Sequence, residues 1–485
     1  MRIFEILLFI GLFSSAAGII FLKNAKFIII AAAPSVLFSV ISIWVEGVRF
    51  VMIPAYVLSI ILFAIGLVKS FLKLKKRHSI LKVFGAVGIC FIYAISIVLA
   101  NFVPVVNLPK PAGSSIVGTI RLDFTQTDRR DILTNKTSLQ KIAVQVWYPA
   151  SGGSTDKKAR WLDSRKAASY FATSKKLPDI FGQLCLAETN SYWNASLSNK
   201  MKKYPVVLFS GGAGMFNGQN TIQMEELASR GYVVFAVSHP YDDFAAIYSN
   251  GDIVPYSQEL SSAMSKDAIK GIDIAKKQVK NQNSPDFQRA AIENCKLNIE
   301  DVRLWSQDMS FVADEVEKLN DGSIKSIFKG KLDVNNMGIF GHSFGGAAAG
   351  ETCLRDSRFK VFINLDGTPF GDSTDNIIKQ PFMVLCSGTD SKLKFSAAEG
   401  YSKNQKNFLV VKINGTQHMN FSDLNTIISN IGKKTGVLGT ISADRQEKII
   451  NTYIVSFFNK YLKGEYEPIL NQHSSKYSEV NIERK

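Results

Sequence analysis

Residues 341–346 place a serine where it can act as a nucleophile. They read Gly-His-Ser-Phe-Gly-Gly, so Ser343 is the centre of a Gly-x-Ser-x-Gly pentapeptide. The run at 336–340 predicts a buried strand before it, and 347–352 predicts the start of a helix after it. A strand, this pentapeptide and a helix together form a nucleophile elbow, a tight turn that lifts the serine clear of a sheet. We therefore predict that Ser343 is a nucleophile.

The serine needs a base, and one of the five histidines lies where a base is expected. His418 is in a loop directly after the last predicted strand, which is where an α/β-hydrolase carries its base. The other histidines fall in a basic loop, before the pentapeptide, beside the serine or in a polar tail: His78, His239, His342 and His473. We predict His418 as the base.

Two aspartates follow predicted strands at the same edge of the sheet, and either could orient this base. Asp366 follows the strand at 361–365, and Asp390 follows the strand at 382–386. Asp390 has the commoner position for the acid in this fold. Sequence order alone does not choose between the two.

Negative charge that develops on an attacked carbonyl oxygen requires backbone N–H donors. Phe344, directly after the serine, supplies one of them in this arrangement. The second is expected from 210–214, the loop Ser-Gly-Gly-Ala-Gly that follows the strand at 206–209. Glycines let this backbone approach a substrate closely, although a plain tight turn would use them too.

The segments that must position these residues alternate between strands and helices. Alternating apolar and polar residues predict two half-buried antiparallel strands at 118–123 and 142–148. Six short apolar runs predict strands buried on both faces of a parallel sheet: 206–209, 233–237, 337–340, 361–365, 382–386 and 409–413. Helices are predicted at 218–230, 299–319, 344–354 and 443–462. This alternation predicts an α/β fold, one mostly parallel sheet with helices on both faces.

Two polar segments interrupt the alternation, at 151–200 and 257–298. The first includes Trp161 and Phe171, and the second is rich in Lys, Gln, Asn and Ser. We expect both to be insertions over the carboxyl edge of the sheet, as a lid or pocket wall. For 257–298, surface decoration is an equal alternative.

The first hundred residues predict a different kind of structure. Four apolar stretches are each near the roughly 20 residues that cross a bilayer: about 3–22, 27–45, 50–68 and 83–103. The first could be a signal peptide, but Arg2 is its only early positive charge and more apolar stretches follow at once. We predict an all-α transmembrane region of about four helices at 1–104, a proline-containing linker at 105–115 and an α/β domain at 116–485.

Basic residues between these stretches predict how they cross the membrane. Most of them surround the third turn: Lys69, Lys73, Lys75, Lys76, Arg77 and Lys82. Lys23 and Lys26 mark the first turn, whereas Glu46 and Arg49 leave the second turn neutral. Because positive loops stay in the cytoplasm, the N-terminus is expected outside and the α/β domain is expected to be extracytoplasmic.

Charge and cysteine content limit the partners. The chain has 57 Lys and Arg against 41 Asp and Glu, without a dense basic block with interleaved aromatic residues, so nucleic acid is disfavoured as a partner. The five cysteines have no metal-like spacing, and neither a metal nor a cofactor is expected. On an oxidising side of the membrane, Cys185 and Cys295 could pair, with free thiols as the alternative. No protein partner or oligomeric state is predicted.

Three segments carry a resemblance to a known family: Gly-His-Ser-Phe-Gly-Gly at 341–346, Phe-Ser-Gly-Gly-Ala-Gly at 209–214 and Gln-His-Met-Asn-Phe-Ser-Asp at 417–423. Together they resemble the plasma-type platelet-activating factor acetylhydrolases, which are calcium-independent serine esterases and lipases of the α/β-hydrolase fold. The similarity extends in order over about 116–463 and does not include the four apolar stretches.

This resemblance implies Ser343 as the nucleophile, His418 as the base and Asp366 as the acid. It also implies that the backbone N–H groups of Ala213 and Phe344 are the oxyanion donors. The family usually has His-Gly-Leu-Gly where this chain has Gly-Gly-Ala-Gly. The backbone donor survives this change, and the shape of the acyl pocket is left open.

The chain is therefore expected to be a membrane-tethered serine esterase that cleaves short or oxidised acyl groups from phospholipid-like esters. A general carboxylesterase or polyester-type hydrolase that acts on extracellular esters is the second hypothesis. A membrane protein whose hydrolase-like domain only binds a ligand is the third, although a complete set of Ser, His and Asp argues against it. Acyl length and head group are not predicted.

Overall fold

The chain forms two compact units, residues 1–106 with 177–187, and residues 107–176 with 188–485. The computed structural model describes residues 1–22, 24–71, 79–102, 105–152, 157–388, 397–401, 408–471 and 476–484. Eight residues considered above therefore lie outside the described residues: Lys23, Lys73, Lys75, Lys76, Arg77, His78, Asp390 and His473.

The first unit contains four long apolar helices. They are α1 (Ile3–Phe21), α2 (Ala25–Ile41, extended by a π-helical turn at Ser42–Glu46), α3 (Ile53–Phe71, preceded by a 3-10 turn at Phe50–Met52) and α4 (Ser79–Phe102), and a 3-10 helix at Asp179–Leu186 also belongs here. Each of the four is long and apolar enough to cross a membrane. The predicted all-α region of about four helices is confirmed.

Small residues let the first two helices approach closely. A Cβ atom on Gly11 would lie 2.9 Å from the backbone nitrogen of Ser35, and one on Gly18 would lie 2.9 Å from Cβ of Ala31. At the same interface, Ser15 Oγ donates to Ser35 Oγ at 3.2 Å. Close backbone approach and polar contacts between helices are the features that stabilise helix pairs in lipid.

Residues 177–187 complete this unit although they come much later in the chain. Ile180 packs against the apolar cluster formed by the four helices. Next to it Arg49, which is fully buried, pairs with Glu5 at 2.6 Å and donates from Nε to Gln183 Oε1 at 3.4 Å. The pairing matters because a buried guanidinium without partners would be strongly destabilising.

The second unit is built on one sheet of 11 strands and a separate hairpin. The strands are β1 (Ile116–Arg130), β2 (Thr137–Ala150), β3 (Lys158–Arg160), β4 (Glu188–Trp193), β5 (Tyr204–Ser210), β6 (Val233–Val237), β7 (Ala245–Ile247), β8 (Ile253–Pro255), β9 (Leu332–His342), β10 (Phe359–Leu365), β11 (Phe382–Ser387), β12 (Phe408–Ile413) and β13 (Val480–Arg484). The sheet has the order β13-β12-β11-β10-β9-β5-β6-β2-β1-β4-β3, and β7 pairs with β8. From β12 to β6 in this order, neighbouring strands are parallel.

Helices cover both faces of this sheet. They are α5 (Arg165–Ser174), α6 (Thr221–Ser229), α7 (Gln258–Gln278), α8 (Pro285–Asn294), α9 (Lys296–Asp321), α10 (Phe344–Arg355), α11 (Ala397–Gly400), α12 (Leu424–Ile427), α13 (Ser429–Thr435) and α14 (Ala443–Phe458), with a π-helical turn at Asn459–Lys463 and 3-10 turns at Asp372–Thr374, His418–Phe421 and Pro468–Leu470. Side chains of α9 and α10 fill the core on one face, and side chains of α6 and α14 fill the core on the other. The predicted α/β-hydrolase fold is confirmed.

The predicted elements fall inside observed ones with a few differences. All six apolar runs lie in strands, and the two predicted antiparallel strands are the longer β1 and β2, which pair as expected. The helix predicted at 443–462 ends at Phe458 and continues as a π-helical turn. Cys185 and Cys295, both among the described residues, are not joined by a disulfide.

The polar segment 257–298 forms two complete helices, α7 and α8, which sequence patterning did not predict. The buried face of α7 is narrow and consists of Leu260, Gly271 and Ala275. The many polar residues around these positions obscured the helical pattern in the sequence. The C-terminal strand β13 was also not predicted, since five mostly polar residues suffice for an edge strand beside β12.

Candidate active site

The elbow at Ser343 has the geometry that its sequence predicts. β9 ends at His342 and α10 begins at Phe344, so Ser343 alone forms the turn between them. Its backbone has φ +55, a left-handed conformation that residues other than glycine rarely adopt. Two hydrogen bonds hold it there, from its own N–H to Leu365 O and from Gly346 N–H to its carbonyl, both at 2.9 Å.

The sharpness of the turn depends on a missing side chain at Gly341. A Cβ atom there would lie 2.1 Å from the carbonyl oxygen of Gly345, a distance that real atoms do not tolerate. The first turn of α10 therefore folds directly back over the end of β9. The serine hydroxyl then projects from the carboxyl edge of the sheet.

Ser343, His418 and Asp366 are joined by hydrogen bonds. His418 Nε2 lies 2.9 Å from Ser343 Oγ, and His418 Nδ1 lies 2.9 Å from Asp366 Oδ2. Because a carboxylate only accepts, Nδ1 carries the hydrogen, and Nε2 is left to accept the hydrogen of the serine hydroxyl. A serine bonded in this way can lose its proton to the imidazole as it attacks a carbonyl.

Asp366 is positioned by the neighbouring strand β11. It follows β10 with φ +52, and its N–H donates to Leu385 O at 2.8 Å. Ser387, at the end of β11, donates to Asp366 Oδ1 from its N–H at 2.9 Å and from its hydroxyl at 3.0 Å. One carboxylate oxygen thus faces Ser387 and the other faces His418. The sequence did not single out Ser387, although its place at the end of a parallel strand was a signal.

The two predicted oxyanion donors lie with Ser343 and His418 on one cavity of about 240 Å³. Among the hydrogen bonds of the described residues, neither the N–H of Ala213 nor that of Phe344 donates to a protein group. Phe344 is the first residue of α10, where N–H groups have no partner within the helix. Both donors are therefore available to a ligand oxygen.

Apolar side chains from α7 and α8 form much of the wall of this cavity. The remaining lining residues are Ala268, Ile272, Ala291, Ile292, Cys295, Thr368 and Phe370. Among the described residues that line the cavity, His418 and Cys295 have the only titratable side chains, and burial raises the pKa of the Cys295 thiol to about 12, which keeps it neutral. The segment 257–298 thus contributes a pocket wall, and its lining favours a neutral, apolar group.

Only part of the segment 151–200, Trp161 and α5, packs beside the oxyanion loop 210–214, whereas residues 177–187 belong to the first unit and β3 and β4 extend the sheet. Trp161 contacts Phe216 edge-on at 5.1 Å, and Phe171 of α5 contacts Phe244 at 5.3 Å. Lys175 Nζ donates to the carbonyl oxygen of Gly214 at 2.7 Å. Lys175 thus contacts the loop directly, the aromatic rings pack on residues near it, and the lining of the cavity includes no described residue of 151–200.

A buried glutamine and histidine connect the oxyanion loop to the histidine loop. Gly212 N–H donates to Gln219 Oε1 at 2.8 Å, and Gln219 Nε2 donates to His342 Nδ1 at 2.6 Å. On the other side of the ring, His342 Nε2 donates to the carbonyl oxygen of His418 at 3.1 Å. Sequence reasoning missed both roles, and for Gln219 no local signal existed, since its partner is 123 residues away.

His342 can serve as this connector because its ring stays neutral. Burial, with a smaller effect from neighbouring His418, holds the pKa of His342 well below its ordinary value. A neutral imidazole has one donor and one acceptor, which match the carbonyl of His418 and the amide of Gln219. The arrangement fixes the tautomer of His342.

Asp423 ties the same histidine loop to the start of α6. Its carboxylate accepts from the N–H groups of Thr221 at 2.8 Å and Ile222 at 3.2 Å, and from Trp161 Nε1 at 3.0 Å. A carboxylate at the first turn of a helix satisfies backbone donors that have no partner within the helix. The aspartate of the segment 417–423 thus has a structural role.

The sequence has a family match that covers most of this unit. Residues 100–480 match the family model described as "Platelet-activating factor acetylhydrolase, isoform II". The chain belongs to this family. The match confirms the resemblance seen in the sequence and the prediction of an ester hydrolase. Helices α1–α3 precede the matched residues.

Curated relatives agree with this assignment, and a solved structure shares the fold. The chain is 27% identical over 370 residues to a platelet-activating factor acetylhydrolase of Cavia porcellus, covering 73% of this chain and 78% of the relative. It is 24% identical over 412 residues to a probable 1-alkyl-2-acetylglycerophosphocholine esterase of Arthroderma benhamiae, covering 77% and 92%. A ferulic acid esterase from Streptomyces cinnamoneus shares the fold, with a TM-score of 0.61, 22% identity and coverage of 78% and 99%.

The contacts of Gln219 lead to a test of its connecting role. Gln219→Ala leaves Gly212 N–H and His342 Nδ1 without their partner, at a cost of about 1–3 kcal/mol. We expect kcat/KM for ester hydrolysis to fall by roughly 10- to 100-fold, since about 1.4 kcal/mol is a factor of ten. Gln223→Ala is the matched control, because Gln223 is also buried and donates to Asn451 at 3.1 Å, away from the serine. Equal losses in the two variants would contradict the connecting role.

Proposed function

We propose that this chain is a membrane-anchored serine esterase that cleaves short or oxidised acyl groups from phospholipid-like esters. The observation that carries the proposal is the hydrogen-bonded series from Ser343 through His418 to Asp366, beside two unused backbone donors on an apolar cavity. Nucleophile, base, orienting acid and oxyanion donors are the complete set that acyl transfer from an ester requires.

In the acylation step, Ser343 Oγ attacks the ester carbonyl carbon while His418 Nε2 takes the hydroxyl proton. Asp366 holds the imidazole in the required tautomer and stabilises the imidazolium that forms. The N–H groups of Ala213 and Phe344 bind the negative oxygen of the tetrahedral intermediate, each contributing about 3 kcal/mol. His418 then gives its proton to the departing alcohol oxygen, and the acyl group stays on Ser343.

Deacylation uses the same groups with water as the nucleophile. His418 takes a proton from a water molecule, and the resulting hydroxide oxygen attacks the acyl carbon. The oxyanion donors bind the second intermediate, and its collapse returns the proton to Ser343 Oγ and releases the carboxylic acid.

The size and lining of the cavity are consistent with an acyl group of limited length bound beside the serine. Its volume is about 240 Å³, and its walls apart from the catalytic residues are Ala, Ile, Cys, Thr and Phe side chains. A neutral acyl chain can be buried against this uncharged wall without a desolvation penalty. A charged acyl terminus would lose its hydration, which is unfavourable. A general carboxylesterase acting on soluble extracellular esters would use the same cavity, so substrate length and head group separate the two proposals.

The four apolar helices support the anchoring. They are long enough to span a bilayer, and a catalytic domain on such an anchor stays next to lipid esters. The excess of Lys and Arg around the third turn supports a cytoplasmic position for that turn. We propose that the domain beginning near residue 116 is extracytoplasmic.

The assignment of the acid is tested by comparing two aspartates. Asp366→Asn should lower kcat by about 10⁴-fold, because the amide stabilises the wrong tautomer of the histidine. Asp390→Asn is the matched control and should leave kcat within about threefold, under 1 kcal/mol. The measurement is p-nitrophenyl acetate hydrolysis by the full chain in detergent, with Ser343→Ala as the zero-activity reference. The opposite ranking of the two aspartates would overturn the assignment.

The role of the cavity in selecting acyl length is tested by substituting two isoleucines of α7. Ile272 lines the cavity, whereas Ile269 is 61% exposed on the same helix. Ile272→Ala should move the preferred acyl length upward by roughly two to three carbons, since each buried CH₂ contributes about 0.8 kcal/mol. Ile269→Ala should leave the preference unchanged.

The measurement is kcat/KM over a series of p-nitrophenyl esters and of phosphatidylcholines that differ in the sn-2 chain. Hydrolysis of phospholipids with short sn-2 chains supports the lipid esterase. Hydrolysis of soluble esters alone would favour the general carboxylesterase. Identical chain-length profiles for the two isoleucine variants would rule out α7 as the wall that measures the chain.

Orientation is tested with two epitope tags on the full chain. A tag after Lys485 should be stained on intact cells and removed by added protease, because the domain is expected outside. A tag inserted beside Lys75 should be stained only after permeabilisation, since this turn carries the basic residues. The reverse staining pattern would show that the domain is cytoplasmic.

A further inference from the structure

A second serine, histidine and aspartate are joined by hydrogen bonds within the same unit. His239 Nε2 lies 3.0 Å from Ser210 Oγ, and His239 Nδ1 lies 2.9 Å from Asp308 Oδ2. All three residues are 0% exposed. Because an ester cannot reach a serine that is closed off from solvent, this series is not a second catalytic site, and its chemistry must serve another purpose.

Arg129 anchors this buried series. Its Nε and Nη2 each donate to one oxygen of Asp308 at 3.0 Å, a paired geometry that holds the carboxylate in a fixed plane. Burial alone would raise the pKa of Asp308, but the charge of Arg129 and the hydrogen bonds bring it below its ordinary value. Burial lowers the pKa of His239, so its ring is neutral. The ring therefore donates to Asp308 and accepts from the hydroxyl of Ser210.

One end of the series fixes the loop that carries the first oxyanion donor. Ser210 is the last residue of β5 and is followed by Gly211, Gly212 and Ala213. The hydrogen bond from its hydroxyl to His239 sets the direction in which the chain leaves the strand. Beyond the donor, Gly214 N–H is bound by the carbonyl oxygen of Asp242 at 2.8 Å.

The face of the same imidazole supports the second oxyanion donor. Trp305 stacks on His239 with a centroid distance of 3.8 Å and an interplanar angle of 10°. The other side of Trp305 meets the ring of Phe344 edge-on at 4.9 Å and 83°. Trp305 is itself held by a hydrogen bond from Nε1 to the carboxylate of Asp242 at 3.2 Å. His239 thus contacts Ser210, which precedes the loop of the Ala213 donor. It also contacts Trp305, which packs against the second donor residue, Phe344.

We propose that His239 is a positioning residue that sets the separation of the Ala213 and Phe344 N–H groups, through Ser210 on its edge and Trp305 on its face. This inference rests on the proposed role of those two N–H groups as the oxyanion hole. A donor that is displaced by a fraction of an ångström still permits ground-state binding but loses much of its stabilisation of the oxyanion. The effect of disturbing His239 should therefore be confined to the transition state.

The test uses the full chain in detergent and three variants. His239→Phe keeps a flat ring for stacking and removes both hydrogen bonds of the edge. His239→Gln retains an acceptor for Ser210 and a donor for Asp308. Ser210→Ala removes a single hydroxyl and is the least disturbing change. Glu479→Gln is the matched control, since it breaks a paired salt bridge to Arg445, 2.9 Å in both contacts, beside β13.

Two ligands separate positioning from general structural damage. A trifluoromethyl ketone adds to Ser343 and forms a tetrahedral oxyanion, whereas the matching ether analogue of the ester binds without reaction. For Ser210→Ala we expect kcat to fall about tenfold and the ketone to bind about tenfold more weakly, which corresponds to one lost hydrogen bond. His239→Phe should lose roughly 100-fold in both measurements, and His239→Gln should recover most of that loss. KM and the affinity of the ether should change less than about twofold, under 0.5 kcal/mol.

Each outcome decides a specific statement. Equal weakening of ketone and ether, or wild-type kcat per active site in Ser210→Ala, would overturn the positioning role. Losses in Glu479→Gln that match those of Ser210→Ala would overturn it as well. If the wild-type chain neither cleaves esters nor binds the ketone, the proposed function itself fails. A wild type that does both while Ser210→Ala behaves identically would remove the positioning role alone.

Discussion

The active site depends on how closely the first turn of α10 approaches the carboxyl ends of β5 and β9. A Cβ atom on Gly345 would come within 2.2 Å of the carbonyl oxygens of both Ser210 and Gly211. Because residue 345 has no side chain, the nucleophile, the helix N-terminus and the oxyanion loop can lie close together. The hydrogen bonds of the site then add direction to groups that this steric contact has already brought together.

Three histidines among the described residues of the second unit lie in different environments, which suit them to different roles. His418 has 27% of its side chain exposed and faces the cavity. His342 and His239 are buried, and burial lowers the pKa of each. A ring that resists protonation is suited to carrying a fixed donor and a fixed acceptor, which is how both of these rings bond. Of these three imidazoles, only that of His418 is partly exposed and faces the cavity, which fits the proton transfer proposed for it.

The sequence could predict those parts of the site that local patterns encode. Ser343 is marked by its pentapeptide, and His418 by its place after the last parallel strand. The acid was harder, because two aspartates follow neighbouring predicted strands and sequence order does not choose between them, although the family resemblance implied Asp366. Asp366 contacts His418, whereas Asp390 lies outside the described residues.

The supporting residues could not be predicted in this way. Arg129 and Asp308 are 179 residues apart, and Gln219 and His342 are 123 apart, so each pair meets only when the sheet has formed. Both partners of each pair look locally like ordinary polar residues of a strand, helix or loop. The two helices of 257–298 were missed for a related reason, since their few apolar positions matter only once the cavity beneath them exists.

The chain passes between the two units three times, because residues 177–187 return to the unit formed by the first 106 residues. During synthesis, the four apolar helices leave the ribosome well before Ile180 and Gln183, which contact them, have been made. The first unit therefore remains incomplete while β1, β2 and α5 are synthesised. A soluble enzyme that had simply acquired a leading anchor could be separated from it by one cut. Here one cut near residue 107 would leave residues 177–187, which belong to the first unit, in the fragment that carries the second unit.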